Sequence, residues 1–274
     1  MTKQGYFVID AHCHVYPEKI AARAVNGIER FYDIAAHGDG LVTTLLTRER
    51  NDGIDRFVIQ SVATAPRQVR TINDFIAATV AEHPDVLTGL GTLHPASEDM
   101  RGDLEHLLSL GLHGVKLHPD IQAFPIDDPR MMPAYAFLAE HGLPVLFHTG
   151  DDRYDFSNPN RLKPVLHAFP HLTVVGAHLG GYSIWNRAAA ALADEPNLFV
   201  DASSSLAFLD DAHMVAAIRQ YGTERVLFGT DFPLFSAATE LGRFLSLGFD
   251  EREYRAMLAG NAARVYGVPL PKDF

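Results

Sequence analysis

The segment Asp10-Ala-His-Cys-His14 holds two imidazoles two residues apart, directly after the apolar run Tyr6-Phe-Val-Ile9. In an extended strand, residues two apart face the same side. His12 and His14 therefore project toward one point, as two ligands of a shared metal ion must. Other metal-capable residues close other short apolar runs: His148 ends Pro144-Val-Leu-Phe147, His178 ends Val174-Val-Gly-Ala177, and Asp231 ends Val226-Leu-Phe-Gly-Thr230. One histidine at a strand end is usually an ordinary hydrogen-bonded side chain. Four histidines and one aspartate at matching ends of separate runs predict a divalent-metal site.

Such a site needs parallel strands whose carboxyl ends meet. Seven further strand-like runs follow the first, over residues 56–62, 86–93, 114–118, 144–149, 172–177, 198–202 and 225–229. Helical spacing separates them: Ile72, Phe75, Ile76, Thr79 and Val80 fall at i, i+3, i+4, i+7 and i+8, and Leu104, Leu107 and Leu108 precede Gly111. Runs such as Val145-Leu-Phe147 are apolar on both faces, as parallel strands covered on both sides are. Right-handed crossovers close eight such units into a (β/α)8 TIM barrel, one α/β domain over residues 1–274. A doubly wound open sheet would carry a glycine-rich phosphate loop after its first strand, where this chain has His-x-His. The barrel also explains the ligand positions, because its active sites form at the carboxyl ends of the strands.

The 274 residues, 47% of them hydrophobic, suffice for a single barrel of about 250 residues. With 23 Lys+Arg against 34 Asp+Glu, the formal charge is −11, and no basic run follows a phosphate backbone. Nucleic acid is therefore not an expected partner. No apolar run approaches the roughly 18 residues of a membrane span, and the first strand starts close to the N-terminus. The expectation is a soluble, cytoplasmic protein that acts on a small molecule, with a homo-oligomer left open. Cys13 is the only cysteine, which excludes an intrachain disulfide and a cysteine-based zinc knuckle. Strand alternation turns it away from His12 and His14, toward the helix layer. Residues 17–40 exceed the usual connection length and are predicted to form a helix or lid over the site.

Six motifs carry a resemblance: Asp10-Ala-His-Cys-His14, Gly114-Val-Lys-Leu-His-Pro119, Leu146-Phe-His-Thr-Gly150, Gly176-Ala-His-Leu-Gly-Gly181, Phe228-Gly-Thr-Asp-Phe-Pro233 and Gly260-Asn-Ala-Ala-Arg264. Over nearly its whole length the chain resembles the amidohydrolase-related (amidohydrolase 2) family of the metal-dependent amidohydrolase superfamily. The resemblance implies that His12, His14, His148 and Asp231 ligate a divalent ion, with His178 beside the water it activates. Zn2+ is the default, and Mn2+ or Fe2+ also suits three imidazoles and a carboxylate. Asp231 and His178 are then the catalytic pair, Asp231 as proton acceptor and His178 as a stabiliser of developing charge.

Lys116 shares a face of the fourth strand with His118. In binuclear relatives the corresponding lysine is carboxylated and bridges two metals, so Lys116, His148 and His178 form a candidate second site. One ion is expected rather than two. Candidate substrate contacts are His118, Arg153, Tyr154 and Trp185, with Tyr182 as a pocket wall. Asn261 and Arg264 are expected to tie down the last helix. The family's chemistry implies a hydrolase that cleaves an amide, ester or lactone. The alternative is a metal-dependent nonoxidative decarboxylase of an aromatic or unsaturated acid, which needs cationic and aromatic residues converging on the metal; Arg153, Lys116 and Tyr16 are the candidates. A nonenzymatic binding protein ranks third, because all five metal and water-positioning residues are present.

Overall fold

Residues 5–272 and 274 are described in the computed structural model of the chain. Eight short strands run in parallel: β1 (Ile9–His14), β2 (Arg56–Gln60), β3 (Leu87–Gly89), β4 (Val115–Leu117), β5 (Val145–Phe147), β6 (Val174–Gly176), β7 (Leu198–Asp201) and β8 (Val226–Leu227). Ladders join β1 to β3, and β4 to β8, in chain order. Two seams close these sheets on each other. At one, Gly91 N donates to Gly114 O at 2.9 Å and Lys116 N to Gly91 O at 2.8 Å. At the other, Ala11 N donates to Phe228 O at 3.0 Å, His14 N to Phe232 O at 2.7 Å, and Asp231 N to His12 O at 3.0 Å. The fold is the (β/α)8 barrel expected from the sequence.

Strand alternation sorts the core into two layers. Val115, Leu117, Val145 and Phe147 belong to the layer shared with the surrounding helices, while Val58, Leu90, Leu146 and Val175 fill the barrel interior. Cys13 is fully buried in the outer layer. The bottom of the barrel is plugged by Ala262, Val265 and Tyr266 of the last helix, Asn261–Tyr266. That helix is tied down as expected: Asn261 Nδ2 donates to Thr223 O at 2.8 Å and Val226 O at 2.7 Å, and Arg264 donates to Glu224 O.

Residues 17–40 contain helix α1 (Glu18–Tyr32). It buries Ala21 and Val25, and it ends where Asp33 turns left-handed at φ 56° and its N–H bonds back to Glu29 O. In the helix Val69–Glu82 the apolar stripe divides. Ile76 and Thr79 pack inward, whereas Ile72 and Phe75 face an open cavity.

The strands are shorter than the apolar runs suggested. Pairing stops at Leu117, Phe147, Gly176 and Leu227, so His118, His148, His178 and Asp231 stand just beyond the ladders. A residue released from the ladder can take backbone angles that a strand forbids. His178 and Asp231 do so, at φ 59° and 62°. Such left-handed conformations are strained for residues with a Cβ and persist only where surrounding contacts hold them.

Gly150 shows how closely the loops of this face pack. Its φ is 80°, and a Cβ there would lie 2.5 Å from Tyr182 N. Gly150→Ala should therefore destabilise the fold by about 1–3 kcal/mol through overpacking. Denaturant unfolding measures this, and a variant as stable as the parent would contradict the close approach.

Candidate metal centre

His12 and His14 leave β1 with their Nε2 atoms 3.3 Å apart. Asp231 Oδ1 lies 3.3 Å from His12 Nε2 and 3.6 Å from His14 Nε2. The far side of the His12 ring is fixed, because its Nδ1 lies 2.9 Å from Asp201 Oδ2. An ionised carboxylate only accepts, so the ring proton sits on Nδ1 and the Nε2 lone pair points at Asp231. The ligand atoms of His12, His14 and Asp231 fall within 4.8 Å of one another, all buried. Buried acceptors that crowd together without enough protons call for a cation. Two imidazoles and a carboxylate suit a divalent ion such as Zn2+, Mn2+ or Fe2+, so the residues present fit the implied metal.

His148 is placed differently. It belongs with His118 and Asp120 in a second group of ligand atoms within 4.8 Å of one another, separate from the His12, His14 and Asp231 group. Its Nδ1 faces His178 Nε2 at 3.1 Å and Tyr32 Oη at 3.4 Å. Its Nε2 lies 3.6 Å from Asp120 Oδ2 and has no hydrogen-bond partner among the described residues. The rings of His118 and His148 stack at 4.0 Å between centroids. His178 is held from behind, with its Nδ1 3.0 Å from Ser203 O, so its Nε2 faces the site.

Burial sets the charge states. It pushes His14, His118 and His148 well below the usual imidazole range and His178 down to about 4, so these rings are neutral and free to ligate or accept. Burial alone would raise the Asp231 carboxyl. The surrounding His12, His178 and His14 rings and the Ser204 hydroxyl, 2.6 Å from Oδ2, outweigh it and hold the group well below the ordinary carboxylate range. Asp201 is held at about 2 against its own burial by His12, His178 and Ser203. Lys116 is fully buried with its Nζ 3.2 Å from His12 Nε2. Burial brings its ammonium down to about 8, opposed by the charges of Asp231 and Asp201.

These groups floor a cavity of about 720 Å3 walled by α1, Ser61 to Thr64 and the start of the helix Val69–Glu82. Lys116 and His118 both reach it, as their shared strand face requires. Arg153, Tyr154 and Trp185, expected as substrate contacts, do not line it. Arg153 is clamped by Asp151 and donates to Phe31 O, with its guanidinium 4.9 Å over the Phe31 ring. Tyr154 stacks on the outer side of that same Phe31, with ring centroids 5.6 Å apart. Trp185 Nε1 donates to Ser205 Oγ at 3.1 Å. Arg153 and Tyr154 thus pack against Phe31, which itself lines the cavity, and Trp185 is held by Ser205.

Three functional positions escaped the sequence reading. Asp201 closes the apolar run Leu198-Phe-Val200 just as the other candidates close theirs, and that signal was available. Asp120 follows the His118-Pro119 pair, and burial raises its carboxyl to about 7 although Ser157 donates to it. Tyr32, whose hydroxyl lies 2.7 Å from His118 Nε2, comes from the far end of α1 with no local motif to mark it.

The family model described as Amidohydrolase matches residues 9–268, and the chain belongs to that family. Solved structures share the fold. A TIM-barrel protein of uncharacterised function from Bordetella bronchiseptica aligns with a TM-score of 0.80 at 23% identity, covering 95% of this chain and 98% of that one. A dihydroxybenzoic acid decarboxylase from Polaromonas, solved with bound manganese and the inhibitor 2-nitroresorcinol, aligns at 0.75 and 18%, covering 98% and 99%. A putative 2-pyrone-4,6-dicarboxylic acid hydrolase from Pseudomonas putida aligns at 0.68 and 21%, covering 97% and 99%.

Elemental analysis of metal-replete protein should find about one divalent ion per chain, the ion that the His12, His14 and Asp231 group would hold. His12→Ala/His14→Ala should remove most of it while the protein stays folded, because the barrel core holds the structure. Full metal content in the double variant would eliminate this site. Asp201→Asn, which loses the charged acceptor behind His12, should weaken metal affinity about 10–100-fold in a competitive chelator titration. Unchanged affinity would mean that Asp201 does not orient the ring.

Proposed function

We propose that the protein is a metal-dependent hydrolase that cleaves an amide, ester or lactone bond of a small molecule. A divalent ion held at His12, His14 and Asp231 would supply Lewis acidity and make water a nucleophile near neutral pH. The observation that carries the reading is the position of Asp231. It is the one carboxylate on the cavity wall among the described residues, and its Oδ1 reaches both His12 and His14.

Asp231 is ionised, with Oδ2 occupied by Ser204, so Oδ1 remains to take a proton from an attacking water and return it to the leaving group. Neutral His178, locked by the Ser203 carbonyl, presents Nε2 to the same space and can hold the water or the substrate oxygen. Tyr32 and His118 form a hydrogen-bonded pair on the opposite wall, able to donate to a carbonyl oxygen. Helix α1 roofs the site and limits bulk water.

Decarboxylation is the second reading. Phenolic Tyr16 and Tyr32 share the wall with Lys116, and a similar structure is named a decarboxylase. Arg153, the cationic anchor that reading asked for, is turned to Asp151 instead.

A screen of esters, lactones and N-acyl compounds with zinc-loaded protein should find turnover that a chelator abolishes, while aromatic acids release no carbon dioxide. Asp231→Asn should keep the fold and lower kcat by at least about 100-fold, the scale of a lost general base. Metal-dependent release of carbon dioxide from an aromatic acid would reverse the assignment.

A further inference from the structure

The cavity wall carries a charge opposite to that of the chain. The protein has a formal charge of −11, yet the wall presents four cationic side chains, Lys19, Arg23, Arg67 and Lys116, against the single carboxylate of Asp231. Lys116 is buried beside His12, but the other three are exposed at the rim. No hydrogen bond or ion pair to a described residue engages Lys19, Arg23 or Arg67, although acid partners hold many other arginines, such as Arg153, Arg161 and Arg243.

Helix spacing separates the charges from the reactive end. Two adjacent i, i+4 rows of α1 face the cavity: Lys19, Arg23, Gly27 and Phe31 form one, and Ile20, Ala24, Ile28 and Tyr32 the other. The second row is apolar until Tyr32, which touches His118. At 1.5 Å per residue, Arg23 lies on the order of 13 Å along the helix axis from Tyr32. Arg67 faces the same cavity from the opposite wall, ahead of the apolar pair Ile72 and Phe75.

We infer that the substrate is an elongated amphiphilic anion: its scissile group lies at the histidine floor, an apolar body runs along α1, and a carboxylate or phosphate at the other end is held by Arg23 and Arg67, with Lys19 beside them. Unpaired guanidinium groups at the mouth of a low-dielectric cleft attract and orient such a group, and arginine matches carboxylate and phosphate oxygens in pairs. The inference rests on the cavity being the active site, but its test needs no turnover.

Calorimetry with zinc-loaded protein would compare adipate, suberate and sebacate with hexanoate, octanoate and decanoate, the monocarboxylates of matching length. At least one dicarboxylate should bind about tenfold or more tighter than its partner, the scale of a charge-assisted contact. Arg23→Gln/Arg67→Gln should abolish that preference while monocarboxylate affinity, metal content and melting temperature stay unchanged. Both substitutions are at exposed positions, so folding is not at stake. An ω-phosphonate analogue of the best dicarboxylate identifies phosphate as the distal group if it binds more tightly, and carboxylate if it binds less tightly. Equal affinity of di- and monocarboxylates, or a preference that survives in the double variant, would overturn the inference. Loss of all binding in His12→Ala/His14→Ala, with the preference intact in the parent, would leave the rim assigned whatever reaction the floor performs.

Discussion

The backbone seam between β1 and the chain beyond β8 is the contact on which the rest depends. The same hydrogen bonds that close the barrel, His14 N to Phe232 O and Asp231 N to His12 O, bring Asp231 alongside the two imidazoles of β1. Beneath them Asp10 accepts from Thr230 N at 3.0 Å, Thr230 Oγ1 at 2.6 Å and His12 N at 3.1 Å. Burial raises the Asp10 carboxyl to about 6, and those donors work against that rise. A slip of one residue at this seam would turn His12 and His14 into the helix layer and bring Cys13 to the mouth. Register at the seam is therefore both an architectural and a chemical requirement.

Burial then does the electrical work. It keeps His14, His118, His148 and His178 neutral, which leaves nitrogen lone pairs free. The cost falls on Lys116, whose ammonium is desolvated beside His12 and brought down to about 8, with Asp231 and Asp201 opposing that fall. The two aspartates thus serve the histidines and the lysine together.

Much of this was legible in the sequence, for reasons that differ between residues. His12, His14, Lys116 and Cys13 were readable because strand alternation fixes which way a side chain faces, and the register is enforced by a core on both sides of each strand. The eight units and the helix in residues 17–40 followed from periodicity and connection length. The exact reach of His148 did not, because its ring orientation depends on contacts with His178, Tyr32 and Asp120 that come from three other parts of the chain. The placement of Arg153 was not legible for a related reason: Asp151, two residues before it, takes its guanidinium, and the side chain does not line the cavity. Tyr32 carries no local signature at all. Its role arises from the length of α1, which delivers it over His118 and His148.

One barrel floor of this kind can serve hydrolysis or decarboxylation, since both need ligand nitrogens, a carboxylate and a way to move a proton. The distinction lies in where a substrate's own charge must sit. For decarboxylation, the departing carboxylate has to lie at the floor, beside Lys116 and the divalent ion that His12, His14 and Asp231 would hold. For hydrolysis, the scissile carbonyl is neutral and any carboxylate can sit elsewhere. The wall places its uncommitted cations, Lys19, Arg23 and Arg67, at the rim rather than at the floor. That distribution suits an anionic group held away from the reacting end, whichever of the two reactions the floor performs.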